Sequence, residues 1–387
     1  MSRKAKDPAP TAAPVQQQPT AEQAWADELA FLRAIDHEPR PSGWKLSPGL
    51  VVRFIMGSGG ERLPVPAGVD AAAMAIAPKF IGPRGLVERA VVTLAGERGL
   101  LLVGEPGTAK SMLSELLAAA ICGSSALTVQ GTAGTSEEHL RYGWNYALLL
   151  ARGPCPEALV DSPVLTAMRN GSLARIEEVT RCLPEVQDAL VSILSERRMA
   201  IPELGGAATV AAAPGFNVIA TANLRDKGVS EMSAALKRRF NFEVVPPITD
   251  AAAELRLVRT QATALLARSG TGMRVDDAVI EALVTAFRDL REGRSAEGWA
   301  VEKPGTVMST AECVASAAAI ARQVAYFPAQ RDALSLVPGH LLGTVLKDEP
   351  EDRGRLLAYW DSVVRRRAEG GARTWQRLAE LRGELEG

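Results

Sequence analysis

Lys110 and Ser111 end the stretch Leu100-Leu-Leu-Val-Gly-Glu-Pro-Gly-Thr-Ala-Lys-Ser111, an apolar run that feeds a glycine-rich turn. Residue types in this order suit the holding of a nucleotide triphosphate. Backbone N–H groups from Gly104 to Ser111 can converge on phosphate oxygens, and a following helix adds its positive dipole end at the same spot. Gly104, Glu105, Pro106, Gly107, Thr108, Ala109, Lys110, Ser111 and Met112 are the expected cradle. Lys110 would reach the β- and γ-phosphates and the Ser111 hydroxyl would ligate Mg²⁺. Ala109 stands where G-x-x-x-x-G-K-[ST] has its last glycine, a place where a methyl group is tolerated if φ is negative.

A phosphate loop needs a carboxylate for the metal and a base for the attacking water at the end of a nearby strand. Leu173-Ala-Arg-Ile-Glu-Glu178 supplies both: Glu177 in the metal role, acting through water, and Glu178 in the water-activating role. Glu177 carries one methylene more than the Asp usual in the first role. Phe216-Asn-Val-Ile-Ala-Thr-Ala-Asn223 is an apolar strand ending in an amide able to bond the γ-phosphate or the attacking water. In Ala234-Ala-Leu-Lys-Arg-Arg-Phe240 two guanidinium groups stand side by side, fit either to meet a neighbouring subunit's γ-phosphate or to form a solvated basic face.

These groups need strands to aim them and helices to cover the strands. The spacing predicts a helix over 84–98, a strand over 99–103, an alanine-rich helix over 110–121 and a strand over 126–130. Such alternation implies a parallel sheet with helices on both faces. Past Pro247 the pattern turns helical, with candidates at 251–267, 276–291, 310–326 and 351–369. Residues 1–20, rich in Pro, Ala and Gln, read as a disordered tail. An amphipathic helix is expected over 21–37, a second around 44–56, and a Gly/Pro linker over 57–68. The domain expectation is a tail at 1–20, a helical extension at 21–70, an α/β domain at 71–249, a helical lid at 250–345 and a helical extension at 346–387.

The chain has 387 residues, 47% apolar and 23% charged, with a formal net charge of −1. That composition suits a soluble multi-part protein and gives no reason to expect nucleic acid or an anionic membrane as partner. Four cysteines without C-x-x-C pairing argue against a zinc knuckle or a disulfide framework. With no apolar run of membrane-spanning length and no leader pattern, a cytoplasmic location is expected. His139 is a lone imidazole, and Arg365-Arg-Arg367 reads as a solvated or interface face.

Four elements in one order, Gly104-x-x-Gly-Thr-Ala-Lys-Ser, Ile176-Glu-Glu-Val-Thr-Arg, Val218-Ile-Ala-Thr-Ala-Asn and Leu236-Lys-Arg-Arg-Phe, resemble the AAA+ ATPases, and within them the MoxR-like group. The resemblance covers about 78–248 well, including Arg181 and Gln187 of the second acidic motif, and the helical remainder loosely. It implies a P-loop NTPase α/β fold followed by a small all-helical lid, with ATP and Mg²⁺ at each interface of a ring, usually a hexamer. Lys110, Glu178, Asn223 and Arg239 would then be catalytic, Asn223 as first sensor and Arg239 as arginine finger, with Arg238 at most a helper. The group's helix-2 insert would be 132–156, containing Trp144 and Tyr146, which either grip a partner or cap the domain's own core. Its hairpin would be 198–216.

The lid helix of the family begins with a sensor arginine, and Gly305-Thr-Val-Met-Ser309 has none; neither Lys303 nor Arg322 is assigned in its stead. The function the resemblance implies is remodelling of a partner protein, with a von Willebrand A domain protein as the candidate. A motor of a nucleic-acid machine and a nucleotide switch with little turnover are the alternatives.

Overall fold

The computed structural model describes residues 18–68, 72–205, 208–223, 231–268, 272–327, 332–347 and 349–386. Except for 18–20, the expected tail lies outside them.

Five parallel strands form the central sheet: β1 (Gly99–Gly104), β2 (Thr128–Gln130), β3 (Leu173–Glu177), β4 (Asn217–Asn223) and β5 (Phe240–Val244), in the order β5-β1-β4-β3-β2. β1 is buried along its whole length because both of its faces are covered. Leu100, Leu102 and Ile219 meet the N-terminal helices and α1 (Lys110–Cys122), while Leu101, Val103, Val218 and Ala220 meet the opposite layer, which includes Pro163–Asn170 and Pro184–Glu196.

The helix expected over 21–37 is two helices, Ala21–Ala24 and Ala26–Ile35, because Trp25 leaves helical geometry between them. The helix expected around 44–56 starts at Pro48, with Ser47 as its N-cap. The expected linker over 57–68 contains the strand Arg62–Leu63, paired antiparallel with Met74–Ala75. Within 132–156, Tyr142–Trp144 pairs antiparallel with Leu159–Asp161, and Asn145 caps the helix Tyr146–Arg152. Trp144 packs onto the α/β core, whereas Tyr146 is exposed. Arg198–Ala200 pairs with Thr209–Ala211 as a hairpin.

The C-terminal region is helical: α2 (Ala251–Ala267), α3 (Asp277–Glu292), α4 (Thr310–Tyr326), Val337–Val345, and a run from Asp352 to Glu369 that widens into a π-turn at Trp360–Val364. One apolar core runs through it from Val258 to Leu385. Arg367 corrects the expectation of a solvated or interface arginine face. Its guanidinium is buried, donates to Asp289 and to both oxygens of Glu297, and lies 4.6 Å from the Trp375 ring centre. Two carboxylates and an aromatic face compensate a charge that could not otherwise leave water. Arg365 and Arg366 remain exposed.

Among the described residues no helix is long and apolar enough to cross a membrane, and no group of His, Cys, Asp and Glu is arranged to hold a metal ion by itself. His139 hydrogen-bonds Ser136 through Nδ1.

Candidate functional site

Sheet polarity decides where the site forms: β1, β3 and β4 all point their C-terminal ends at one edge, and the loop, Glu178 and Asn223 emerge there side by side. They line a cavity of about 460 Å³ between the sheet edge and the helical region. That volume falls within the usual range for small-ligand sites. Glu105 through Met112 line it, as do Glu178 and Asn223; Gly104, Glu177 and Arg239 do not.

The loop is shaped by two close approaches. A Cβ at Gly104 would stand 2.5 Å from the Val245 carbonyl oxygen, and one at Gly107, where φ is +76°, would stand 2.2 Å from the Ser309 Cβ. Ala109 adopts φ +65°, not the negative value its methyl group would prefer. The tight entry to α1 demands a left-handed residue, and an alanine there costs about 1–2 kcal/mol. Lys110 is buried, its Nζ donating to the carbonyls of Gly104 and Glu105 at 3.1 and 2.7 Å. The loop thus holds the ammonium group at the cavity wall.

Glu177 lies beneath Ser111. Its carboxylate accepts from Ser111 Oγ and Ser114 Oγ at 2.6 Å each, and from Arg175 and Thr221 at 2.8 Å each. Burial alone would raise its pKa, but the hydroxyl donors and the Arg175 charge outweigh burial and hold the carboxyl below the usual range. An ionised carboxylate touching a serine hydroxyl is an all-oxygen donor set suited to a hard cation such as Mg²⁺. The extra methylene of Glu177 is absorbed by this network and its oxygen still reaches Ser111 directly.

Glu178 sits at the end of β3 in the left-handed region, φ +56°, which turns its side chain toward the cavity mouth. Asn223 Nδ2 donates to both carboxylate oxygens at 2.8 and 2.9 Å, and Arg181 Nε donates to one at 3.1 Å. Adjacent strand ends therefore fix the orientation of Glu178.

Arg239 is elsewhere. Its carbonyl accepts from the N–H of Gly99, the first residue of β1, and its guanidinium donates to Ser195 Oγ and the Ala235 carbonyl. The loop begins at Gly104, the far end of β1, so about 17 Å separates it from the Arg239 backbone at ~3.3 Å per residue. Arg239 does not join its own chain's cavity.

Two groups escaped the sequence reading. Arg175, two residues before Glu177 on the same strand face, is buried and balances its charge. A cation at that spacing in an otherwise apolar strand was the available signal. On the helical side Arg291 lines the cavity, as do Ser309 and Thr310, whereas Lys303 and Arg322 do not. Lys79 also lines it, but donates to Glu28 and to the carbonyls of Phe54 and Ala77. The N-terminal helices are thereby tied to the cavity wall.

Residues 99–240 match the family described as AAA domain (dynein-related subfamily), and residues 252–386 match the YehL-like AAA+ ATPase C-terminal domain. The uncharacterized protein YehL of Escherichia coli (strain K12) is 47% identical over 372 residues, covering 95% of this chain and 98% of that one. The uncharacterized protein SH1500 of Staphylococcus haemolyticus is 32% identical over 194 residues, 50% of this chain and 68% of that one. Among solved structures, NtrX from Brucella abortus in complex with ADP is 13% identical, with a TM-score of 0.46, over 78% of this chain and 64% of that one. A putative ATPase from Cytophaga hutchinsonii is 16% identical, with a TM-score of 0.37, over 70% and 68%. With 47% identity to YehL over nearly the whole of both chains and a match in each half, the chain belongs to the YehL-like AAA+ ATPases, an AAA domain of the dynein-related subfamily followed by a YehL-like C-terminal domain.

Proposed function

We propose that this chain binds ATP with Mg²⁺ in the loop cavity, hydrolyses it at sites completed by a neighbouring copy in a ring, and uses the cycle to remodel a partner protein. The observation that carries the reading is the convergence of Lys110, Ser111, Glu178 and Asn223 on one cavity above an ionised Glu177. Lys110 and the loop amides hold the phosphates. Ser111, with Glu177 behind it, holds the metal, which when bound neutralises charge on the phosphate oxygens. Glu178, oriented by Asn223, takes the proton of the attacking water.

The separation of Arg239 from its own cavity supports a role toward a second copy, hence the ring. A ring of six is the family's usual form and is proposed on that ground, as are the MoxR-like assignment, a cytoplasmic location and a von Willebrand A domain partner. A net charge of −1 supports a protein partner rather than nucleic acid.

In the test, Glu178→Gln keeps ATP binding and loses about 10²–10⁴-fold in turnover, the usual worth of a positioned base. Arg239→Ala loses about 10³–10⁵-fold, as for other arginine fingers, with nucleotide affinity of the single subunit unchanged. Normal hydrolysis by both variants would refute the assignment.

A further inference from the structure

The helix α4 and its N-cap face the cavity with Ser309, Thr310, Ala311 and Val314 and, among the described residues, offer no cation there. The cation on this wall comes from the preceding helix. Arg291, in the last turn of α3, lines the same cavity as Lys110 and Ser111. Glu254, buried in the first turn of α2, fixes it with a two-pronged contact, Arg291 Nη1 to Oε1 at 3.0 Å and Nη2 to Oε2 at 2.8 Å. Nη1 also donates to the Met308 carbonyl, and Thr310 donates its hydroxyl to Glu254 at 2.6 Å.

A guanidinium has five N–H donors. Among the described residues these contacts occupy three of those on Arg291, leaving Nε–H and one Nη2–H. A planar fork held rigid by a buried carboxylate, with donors to spare at a cavity wall, is built to receive a charged oxygen.

Arg288 shows the contrast. It shares Glu254, but also contacts Glu292 and the carbonyls of Ile248 and Thr249, and does not line the cavity. Arg288 anchors the connection between the two halves of the chain.

We infer that Arg291 is the helical region's contact to the terminal phosphates of the nucleotide, with Glu254 as its positioning residue. This rests on the nucleotide reading above, and adds that the phosphate cation of this half comes from α3.

The test is fluorescence titration of the full chain with labelled ATPγS, which needs no turnover. Arg291→Gln should weaken binding about 10- to 100-fold, the worth of one or two charge-assisted hydrogen bonds. Arg288→Gln should bind within threefold of wild type. Because Arg291→Gln removes one of the two guanidinium partners of the buried Glu254, the pair Glu254→Gln/Arg291→Gln is measured beside it, with circular dichroism to report folding, and should show the same loss. Arg291→Lys, which keeps the charge but not the fork, should fall between.

Wild-type affinity in Arg291→Gln, an equal loss in Arg288→Gln, or restored affinity in the pair would each overturn the assignment while leaving the nucleotide site standing. Failure of the wild-type chain to bind ATPγS would overturn both.

Discussion

Replacing Arg175 with Met should unsettle the α/β half from within. Arg175 donates to Ser114 Oγ at 3.0 Å, the Ser125 carbonyl at 3.0 Å, Thr128 Oγ1 at 3.2 Å, the Ser111 carbonyl at 3.1 Å and Glu177 at 2.8 Å, so it links α1, β2 and β3. Methionine fills similar volume but leaves Glu177 buried without its cation. Stranding one member of a buried pair costs about 3–5 kcal/mol. Ser111, Ser114 and Thr221 still donate to Glu177, which places the loss near 3 kcal/mol. At 2–4 °C per kcal/mol for a domain of this size, the melting temperature should fall by roughly 6–12 °C. Amides of β3 and α1 should exchange about 100-fold faster, since each 1.4 kcal/mol is a factor of ten.

The pH dependence follows from Glu177. In wild type its folded pKa lies below the usual 4.5, so its contribution to stability is complete above that value and is lost only as pH falls through the lower folded pKa. Without the Arg175 charge one of the influences that lowers it is gone, so the folded pKa of Glu177 in the variant lies above that in wild type. The variant's carboxylate is protonated before the wild-type one as pH falls, so the deficit should be full at pH 7 and shrink on acidification through the variant's folded pKa. Thermal melts by circular dichroism and hydrogen exchange by mass spectrometry read both effects. A loss below about 1 kcal/mol at pH 7, or a deficit that grows on acidification, would refute the reasoning.

Ala109→Gly removes a left-handed alanine at a cost of about 1–2 kcal/mol but frees the unfolded chain by about 0.4–1 kcal/mol, for a net gain near 0.5–1 kcal/mol. A melting temperature lowered by this change would contradict the strain argument. Arg367→Met deprives Asp289 of its guanidinium partner in the C-terminal half and should cost about 3–5 kcal/mol at neutral pH. Burial already pushes the Asp289 carboxyl up despite Arg367 and the Tyr359 hydroxyl, and its loss of Arg367 raises it further. The deficit should therefore be smaller at pH 5 than at pH 7, and melts with equal deficits at both would argue against the pair.

Local signals in the sequence were legible where chemistry is local. The helices 251–267 and 310–326 begin where the residue pattern places them because Asp250 caps the first and a Ser309–Glu312 capping box opens the second. The loop and the strand ends carrying Glu178 and Asn223 were readable because one turn and one strand each define them. What stayed hidden depends on partners distant in sequence. The sign of φ at Ala109 is set by how sharply β1 must turn into α1. Arg291 carries no local signal, because the carboxylate that fixes it, Glu254, lies on the buried stripe of another helix, α2, with Val258, Ala262 and Leu266. Arg367 looked like one of three equivalent surface arginines until Asp289 and Glu297 came beside it through the fold.

The placement of Arg239 at the opposite end of the sheet from the loop has a kinetic meaning. This guanidinium does not line its own chain's cavity, so under the proposed role of Arg239 toward a second copy the rate it supports requires an encounter between two chains. At dilution such a rate is second order in protein, and it becomes first order only once the copies are associated. Activity per chain would then report assembly as directly as it reports chemistry.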